Sequence, residues 1–352
     1  MLLLLSLALA QASGSHRRAA PFVVLGRLPP WRLPSANFYT LFQSVTHLSF
    51  DSLTPSPDGS LPLAELPDPS TLAEARSAAA VYGTKLLVTV GGENERSAGF
   101  AQAATSASAR AKLVSELKAV VESNLLDGVD LCWQYPGFSF GYGTPTHYHP
   151  DAALVKREWD ALGQLVEELR EALGPAAFLA VSFFPDGTQE QGLVSRRVPH
   201  AADLLVAHTL DAQGAHHAPP ALLEAALERR LLPNASLAVL LPFYGRHART
   251  GEAMSYEDIL LRHQPAPEAT VAAGIAFDGP GAVAAKVRLA LASGLGGVVV
   301  KESGQDCRAQ AVTRHGVTHP RTCTGEGDGA SLHAAISRTL RERRRRAATP
   351  EL

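Results

Sequence analysis

Eight short, almost unbroken apolar runs constrain this chain more than anything else in it. They occupy residues 22–26, 45–50, 85–90, 128–134, 178–183, 203–208, 236–243 and 296–301. A strand with one wet face alternates apolar and polar residues, whereas a strand buried on both faces reads as a continuous run. Between the runs, at 109–122, 152–172, 222–232 and 282–292, apolar residues recur three and four apart. That is the period of an amphipathic helix. Pro280 and Gly281 open the last of these stretches and Gly294 closes it. Alternating strands and helices make an α/β domain, and eight strands favour a closed (β/α)8 TIM barrel over an open doubly wound sheet.

The 352 residues and 46% hydrophobic composition suffice for one large core. One barrel domain is expected over residues 20–337, with no internal repeat. A net charge of -2 argues for neither a nucleic-acid nor a membrane partner. Residues 1–10 are almost wholly apolar and are followed by small and polar residues, which reads as a signal peptide over 1–14. The run is far short of the roughly 20 residues a membrane anchor needs. The expected localisation is therefore secreted and extracellular. Residues 338–346 hold six arginines and one glutamate, so 338–352 reads as a basic tail, either a solvated helix end or disordered. Such a run also suits an anionic polymer or a processing protease.

Three cysteines are too few for a disulfide-dense scaffold. Cys307 and Cys323 are close enough to bridge a small loop, or stay as two thiols, and Cys132 is left single. Asn234-Ala235-Ser236 has the pattern of a glycosylation acceptor. Residues 53–70, rich in Pro, Ser and Asp, read as a surface loop. Residues 138–150, rich in Gly, aromatics and His, follow the fourth run, where a barrel builds its sites.

The fourth run carries the chemistry. It reads Asp127-Gly128-Val129-Asp130-Leu131-Cys132-Trp133-Gln134-Tyr135-Pro136. This resembles the signature strand of the family 18 glycoside hydrolases, the chitinase and chitinase-like group, whose pattern is Asp-Gly-x-Asp-x-Asp-Trp-Glu before Tyr-Pro. Asp127 and Asp130 match its first two aspartates. Cys132 stands at the third, and Gln134 stands at the catalytic glutamate. The resemblance runs from about Val23 to Cys307. Residues 86–92 are similar to the family's third strand, with Glu93 in place of an aromatic. Residues 206–214 are similar to the sixth, with Leu210 at the usual tyrosine and Asp211 kept. Residues 241–246 and 294–300 are similar to the seventh and eighth strands, with Lys301 at the tryptophan that floors the central sugar subsite. About thirty residues separate Arg246 from Phe277, too few for the family's α+β insertion domain, so any groove should be shallow there.

The resemblance implies a substrate-assisted retaining mechanism. A carboxylic acid protonates the leaving oxygen, the sugar's acetamide attacks, and a neighbouring aspartate orients it, a variant of the paired-carboxylate scheme. Side chains in a strand alternate faces, so Asp130, Cys132 and Gln134 share the interior face. The family has three carboxyls there; this chain has an acid, a thiol and an amide. Gln134 has no proton to give, and general acid catalysis is commonly worth about 10²–10⁴-fold. Cys132 supplies no fixed charge, and Leu210 no hydroxyl.

The expected function is thus a catalytically inactive, chitinase-like secreted protein that binds N-acetylglucosamine-containing glycans as a lectin, or a protein partner. The alternative is a hydrolase of another glycan using a displaced acid, for which Glu93, Asp211 and Glu302 are candidates. Asp130 and Asp211 read rather as structural acids hydrogen-bonded inside the barrel, and Asp127 as a turn residue. The expected ligand-binding residues are Trp133, Gln134, Tyr135, Asp211, Tyr244 and Lys301, with Phe138, Phe140, Tyr142 and Phe184 as further aromatics. No catalytic residue, cofactor or metal is expected.

Overall fold

The structure is a computed structural model that describes residues 21–92, 94–97, 99–141, 144–210, 218, 220–314 and 316–348. The expected signal peptide, Glu93, Tyr142 and Asp211 lie outside the described residues. Eight strands form a closed barrel: β1 (Val23–Leu28), β2 (His47–Leu53), β3 (Lys85–Gly91), β4 (Gly128–Cys132), β5 (Phe178–Phe183), β6 (Leu204–Ala207), β7 (Leu237–Pro242) and β8 (Gly297–Lys301). Every neighbouring pair is parallel, and β1 closes the ring by pairing with both β2 and β8. The expected (β/α)8 barrel is the observed fold. Each expected run contains or overlaps one strand.

The strands are held in step by carboxylates at their starts. Asp127 Oδ2 accepts from Leu86 N at 2.8 Å, and Asp203 Oδ2 accepts from Leu179 N at 2.8 Å. Asp127 therefore ties two neighbouring strands together, where a turn role was expected of it. Gly128 follows because a Cβ there would lie 1.9 Å from the Phe178 carbonyl oxygen.

Two apolar clusters result. Leu25, Leu87, Phe178, Ala180, Leu204, Val206, Ala238, Leu240 and Val299 fill the barrel interior. A larger cluster lies between the strands and the helices around them. Helix Ala152–Leu173 shows how the outer layer is built. Asp151 caps it by accepting from Ala153 N and Leu154 N, and it buries Trp159, Leu162, Leu165, Val166 and Leu169.

Several connections are more ordered than their composition suggests. The Gly- and aromatic-rich stretch after β4 is an antiparallel hairpin of Phe138–Gly141 and Thr144–Tyr148. After β7, strands Tyr244–His247, Ala253–Ser255, Val271–Ala272 and Ile275–Ala276 form a small antiparallel sheet beside helix Tyr256–His263. Cys307 and Cys323 are disulfide-bonded and Cys132 is the free, buried thiol. No helix among the described residues is long and apolar enough to cross a membrane.

The domain limit drawn after residue 337 needs correction. One helix, Leu332–Ala348, runs through it, so Arg338 to Arg346 are the outer turns of a helix and not a disordered tail. Its first turns pack Leu332, Ala335 and Ile336 into the core. Its first N–H groups are capped from far back in the chain: Asp306 accepts from Leu332 N at 3.0 Å and His333 N at 2.9 Å. The arginines cluster at its C-terminal end, where cations complement the helix dipole.

Candidate functional site

Above the apolar filling, towards the C-terminal ends of the strands, the barrel interior becomes polar. Arg27 on β1 and Asp130 on β4 meet there. Arg27 Nε donates to Asp130 Oδ2 at 2.7 Å and Nη2 to Oδ1 at 2.9 Å, with Asp130 0% exposed. This is a bidentate, charge-assisted pair. Nη2 also donates to Ser182 Oγ at 2.8 Å, and Nη1 lies 3.5 Å from His208 Nε2. Thr89 Oγ1 donates to Asp130 Oδ2 at 3.2 Å and bonds Ser49 Oγ at 2.7 Å. Burial alone would depress the Arg27 guanidinium; the Asp130 charge and hydrogen bonds outweigh it and hold it above its ordinary value.

Cys132 and Gln134 lie above this pair on the same face. Gln134 Nε2 donates to Cys132 Sγ at 3.2 Å, and the Gln134 carbonyl accepts from Gln189 Nε2 at 2.9 Å. The other side-chain atom, Gln134 Oε1, is buried and has no hydrogen-bond partner among the described residues. A buried acceptor left unmade costs about 1–3 kcal/mol. Burial pushes the Cys132 thiol up, against the opposing charge of Arg27, so it stays protonated at neutral pH.

A second carboxyl enters from β2. Asp51 shares the interior parity of Ser49, and its surroundings include Arg27, Lys301, Asp130 and Arg96. Burial is the largest influence and pushes its carboxyl up; Arg27 and Lys301 oppose it, and Asp130 adds to it.

The expected site residues divide. Asp130, Cys132 and Gln134 are brought together as read, and Lys301 ends β8 close enough for its charge to reach Asp51. Leu210 is half-buried against the interior apolar cluster. Tyr135 is buried in an aromatic group with Phe138 and Phe184, their ring centroids 6.2 Å and 5.6 Å from its own. Tyr244 is buried under the Arg246 guanidinium, 5.5 Å from its ring centroid. Trp133 is not a platform for a ligand. Its parity points it out of the barrel, where it is 2% exposed and stacks on Phe100 at 5.3 Å between centroids. Gly91 makes room for that stack, since a Cβ there would lie 2.2 Å from the Phe100 ring. Glu302 accepts from Gln305 Nε2 at 2.7 Å. Asn234 is exposed on the opposite side of the barrel, before β7, and its Nδ2 donates to the Ser293 carbonyl at 2.9 Å.

Sequence reasoning missed Arg27, Asp51, Ser182 and Trp31. Arg27 had a signal: it stands two residues after Leu25 and so shares its inward face. Trp31, in the loop leaving β1, is 56% exposed, with the Arg32 guanidinium 4.5 Å from its ring centroid. It is the exposed aromatic that the buried tyrosines are not.

The comparisons with known proteins fit this geometry. A chitinase from Rhizomucor miehei superposes with a TM-score of 0.66 at 20% identity, over 90% of this chain and 99% of its own. Catalytic domain 2 of the Ostrinia furnacalis Group II chitinase gives 0.72 at 16% identity, over 91% and 97%. A chitinase from Bacteroides thetaiotaomicron gives 0.68 at 16%, over 91% and 97%. No curated protein matches the chain by sequence. The profile of the glycosyl hydrolases family 18 matches residues 34–306, and the chain belongs to that family.

Proposed function

We propose that this protein is a secreted, non-hydrolysing member of family 18 whose barrel mouth binds N-acetylglucosamine-containing glycans. The observation that carries the reading is Gln134. It occupies the catalytic-acid position of the family pattern, its side-chain Nε2 is tied to Cys132, and its side-chain Oε1 is buried without a donor among the described residues. An amide cannot protonate a leaving group, but an unpartnered buried acceptor is suited to a ligand hydroxyl or N–H. The lock of Arg27 on Asp130 supports the same reading, because both carboxylate oxygens are engaged by the guanidinium. A variant of the Ostrinia furnacalis domain has a structure in complex with (NAG)5, which makes chitooligosaccharides the first ligands to try.

The test is an NMR titration with N-acetylglucosamine tetramer, followed for days. Broadened sugar signals without new reducing ends are expected. New reducing ends would sink the non-hydrolysing reading. Silence on both counts would end the chitin-binding reading and leave a different glycan or a protein partner.

A second reading rests on Asp51. A carboxyl pushed up by burial near the barrel mouth is what a displaced general acid requires. If hydrolysis of any glycan is found, a pH–rate profile whose basic limb disappears in Asp51→Asn would favour it. A profile unchanged in Asp51→Asn would reject it.

A further inference from the structure

A cavity of about 310 Å³ lies outside the barrel interior, between helix Phe38–Leu41, the segment 303–312 after β8 and the C-terminal helix. That volume is at the lower end for small-ligand sites, roughly 300–1,000 Å³.

Its lining is rich in groups with bonding capacity to spare. Asn37 uses Oδ1 to accept from Thr40 N at 3.1 Å, which leaves its Nδ2 donor unused among the described residues. Ser303 Oγ is buried with no partner among the described residues. Among the described residues Ser337 Oγ reaches only the Gln43 carbonyl, at a long 3.5 Å. Arg341 is exposed at the rim and makes no hydrogen bond or ion pair among the described residues.

The remaining charges around the cavity are committed elsewhere. Asp306 caps the C-terminal helix and accepts from Ser331 Oγ at 2.7 Å. Asp328 pairs with Arg338 at 3.2 Å, and Arg308 pairs with Glu257 at 2.7 Å. Arg341 is thus the charged group of the lining left without a bonded partner among the described residues.

We propose that this cavity is a second ligand site, separate from the barrel mouth, and that it takes an acidic sugar. A carboxylate or sulfate would sit on the Arg341 guanidinium, whose fork matches such groups. Ring hydroxyls would meet Asn37, Thr40, Ser303 and Ser337. Such a unit can be a free sugar acid or the end of an acidic polysaccharide. Arg344, three residues beyond Arg341, lies on the same helix face and would continue contact with a chain.

The experiment is calorimetric titration of the full chain with glucuronate, with glucose, and with a heparin-derived tetrasaccharide. Glucuronate should saturate one site, with glucose at least about tenfold weaker. Arg341→Glu, at an exposed position, should weaken glucuronate by at least about tenfold. Thr40→Trp, placed on the exposed wall to fill the cavity, should remove saturable binding. Circular dichroism checks that both variants fold. A tetrasaccharide that binds more tightly than glucuronate, and loses that advantage in Arg344→Glu, identifies a chain end as the source; equal affinity identifies the free sugar. No saturation by glucuronate, equal binding of glucose, or unchanged binding in Arg341→Glu would overturn the proposal. The same variants titrated with N-acetylglucosamine tetramer read the barrel mouth, so failure at one site is distinguishable from failure at the other.

Discussion

The two ends of the barrel interior are built on opposite principles. The lower interior, near the starts of the strands, is packed with Leu25, Leu87, Phe178, Leu204, Leu240 and Val299. The upper interior holds Arg27, Ser49, Thr89, Asp130, Cys132, Gln134 and Ser182 in a bonded polar group. Apolar burial stabilises by roughly 25 cal/mol per Å². A buried ion pair gains little net over apolar residues of the same shape, because both charges must leave water. The lower end therefore holds the barrel closed, and the upper end is retained at little profit to stability. That asymmetry points to the upper end as the place where something besides folding is served.

Breaking one half of the upper pair should show the contrast most strongly. Arg27→Met leaves Asp130 buried with Thr89 as its remaining donor. It should cost about 3–5 kcal/mol of unfolding free energy in urea titrations. Arg27→Met with Asp130→Leu should recover most of that loss. If the double variant stays as unstable as the single, the charges are part of the fold's own support and the contrast fails. Next in size is Leu240→Ala in the lower interior, expected to cost about 2–5 kcal/mol through the cavity it leaves. Here no second substitution at the mouth should rescue it, and affinity for N-acetylglucosamine tetramer should be unchanged.

The same contrast explains what could be read from the residues alone. The lower interior was legible because strands buried on both faces are continuous apolar runs, and all eight lie where those runs predict. The row Asp130, Cys132, Gln134 was legible from alternation along β4. Alternation also places Trp133 on the outer face, away from the ligand-binding role expected of it. Arg27 was harder, since its partner lies 103 residues away and no local pattern records a pairing across a closed barrel. The C-terminal helix was half legible for a related reason. Its run of arginines suits a helix end as well as a disordered tail, and what decides for the helix is Asp306 and the core contacts of Leu332 and Ile336.

Titration separates the two ends by sign. His47 lies in the lower end, stacked on Phe178 at 4.3 Å, with Nδ1 bonded to Thr46 Oγ1 at 2.8 Å. Burial, helped by the nearby Lys85, lowers it from 6.5 to about 4. The neutral ring is favoured in the folded state. Its contribution is therefore complete above pH 6.5 and is lost as pH falls from 6.5 towards 4. Over that window the unfolding free energy should drop by up to about 3 kcal/mol from this group. His47→Leu should flatten the drop in urea titrations at successive pH values. His333 is also lowered, chiefly by burial, and leaves a residual slope of the same sign.

Asp51 in the upper end should give the smallest effect, and the opposite slope. Its carboxyl is pushed up by burial, so the folded chain holds that proton at a pH where the unfolded chain has released it. Stability from this group is present below the ordinary aspartate value and is lost as pH rises through the folded one. Asp51→Asn keeps the shape and removes the charge. It should match the wild type in acid and exceed it at neutral pH, where the buried carboxylate is a liability. A variant less stable than the wild type at neutral pH would mean that the attraction of Arg27 and Lys301 outweighs burial. The upper interior would then be a second structural core and not a site held ready for a ligand.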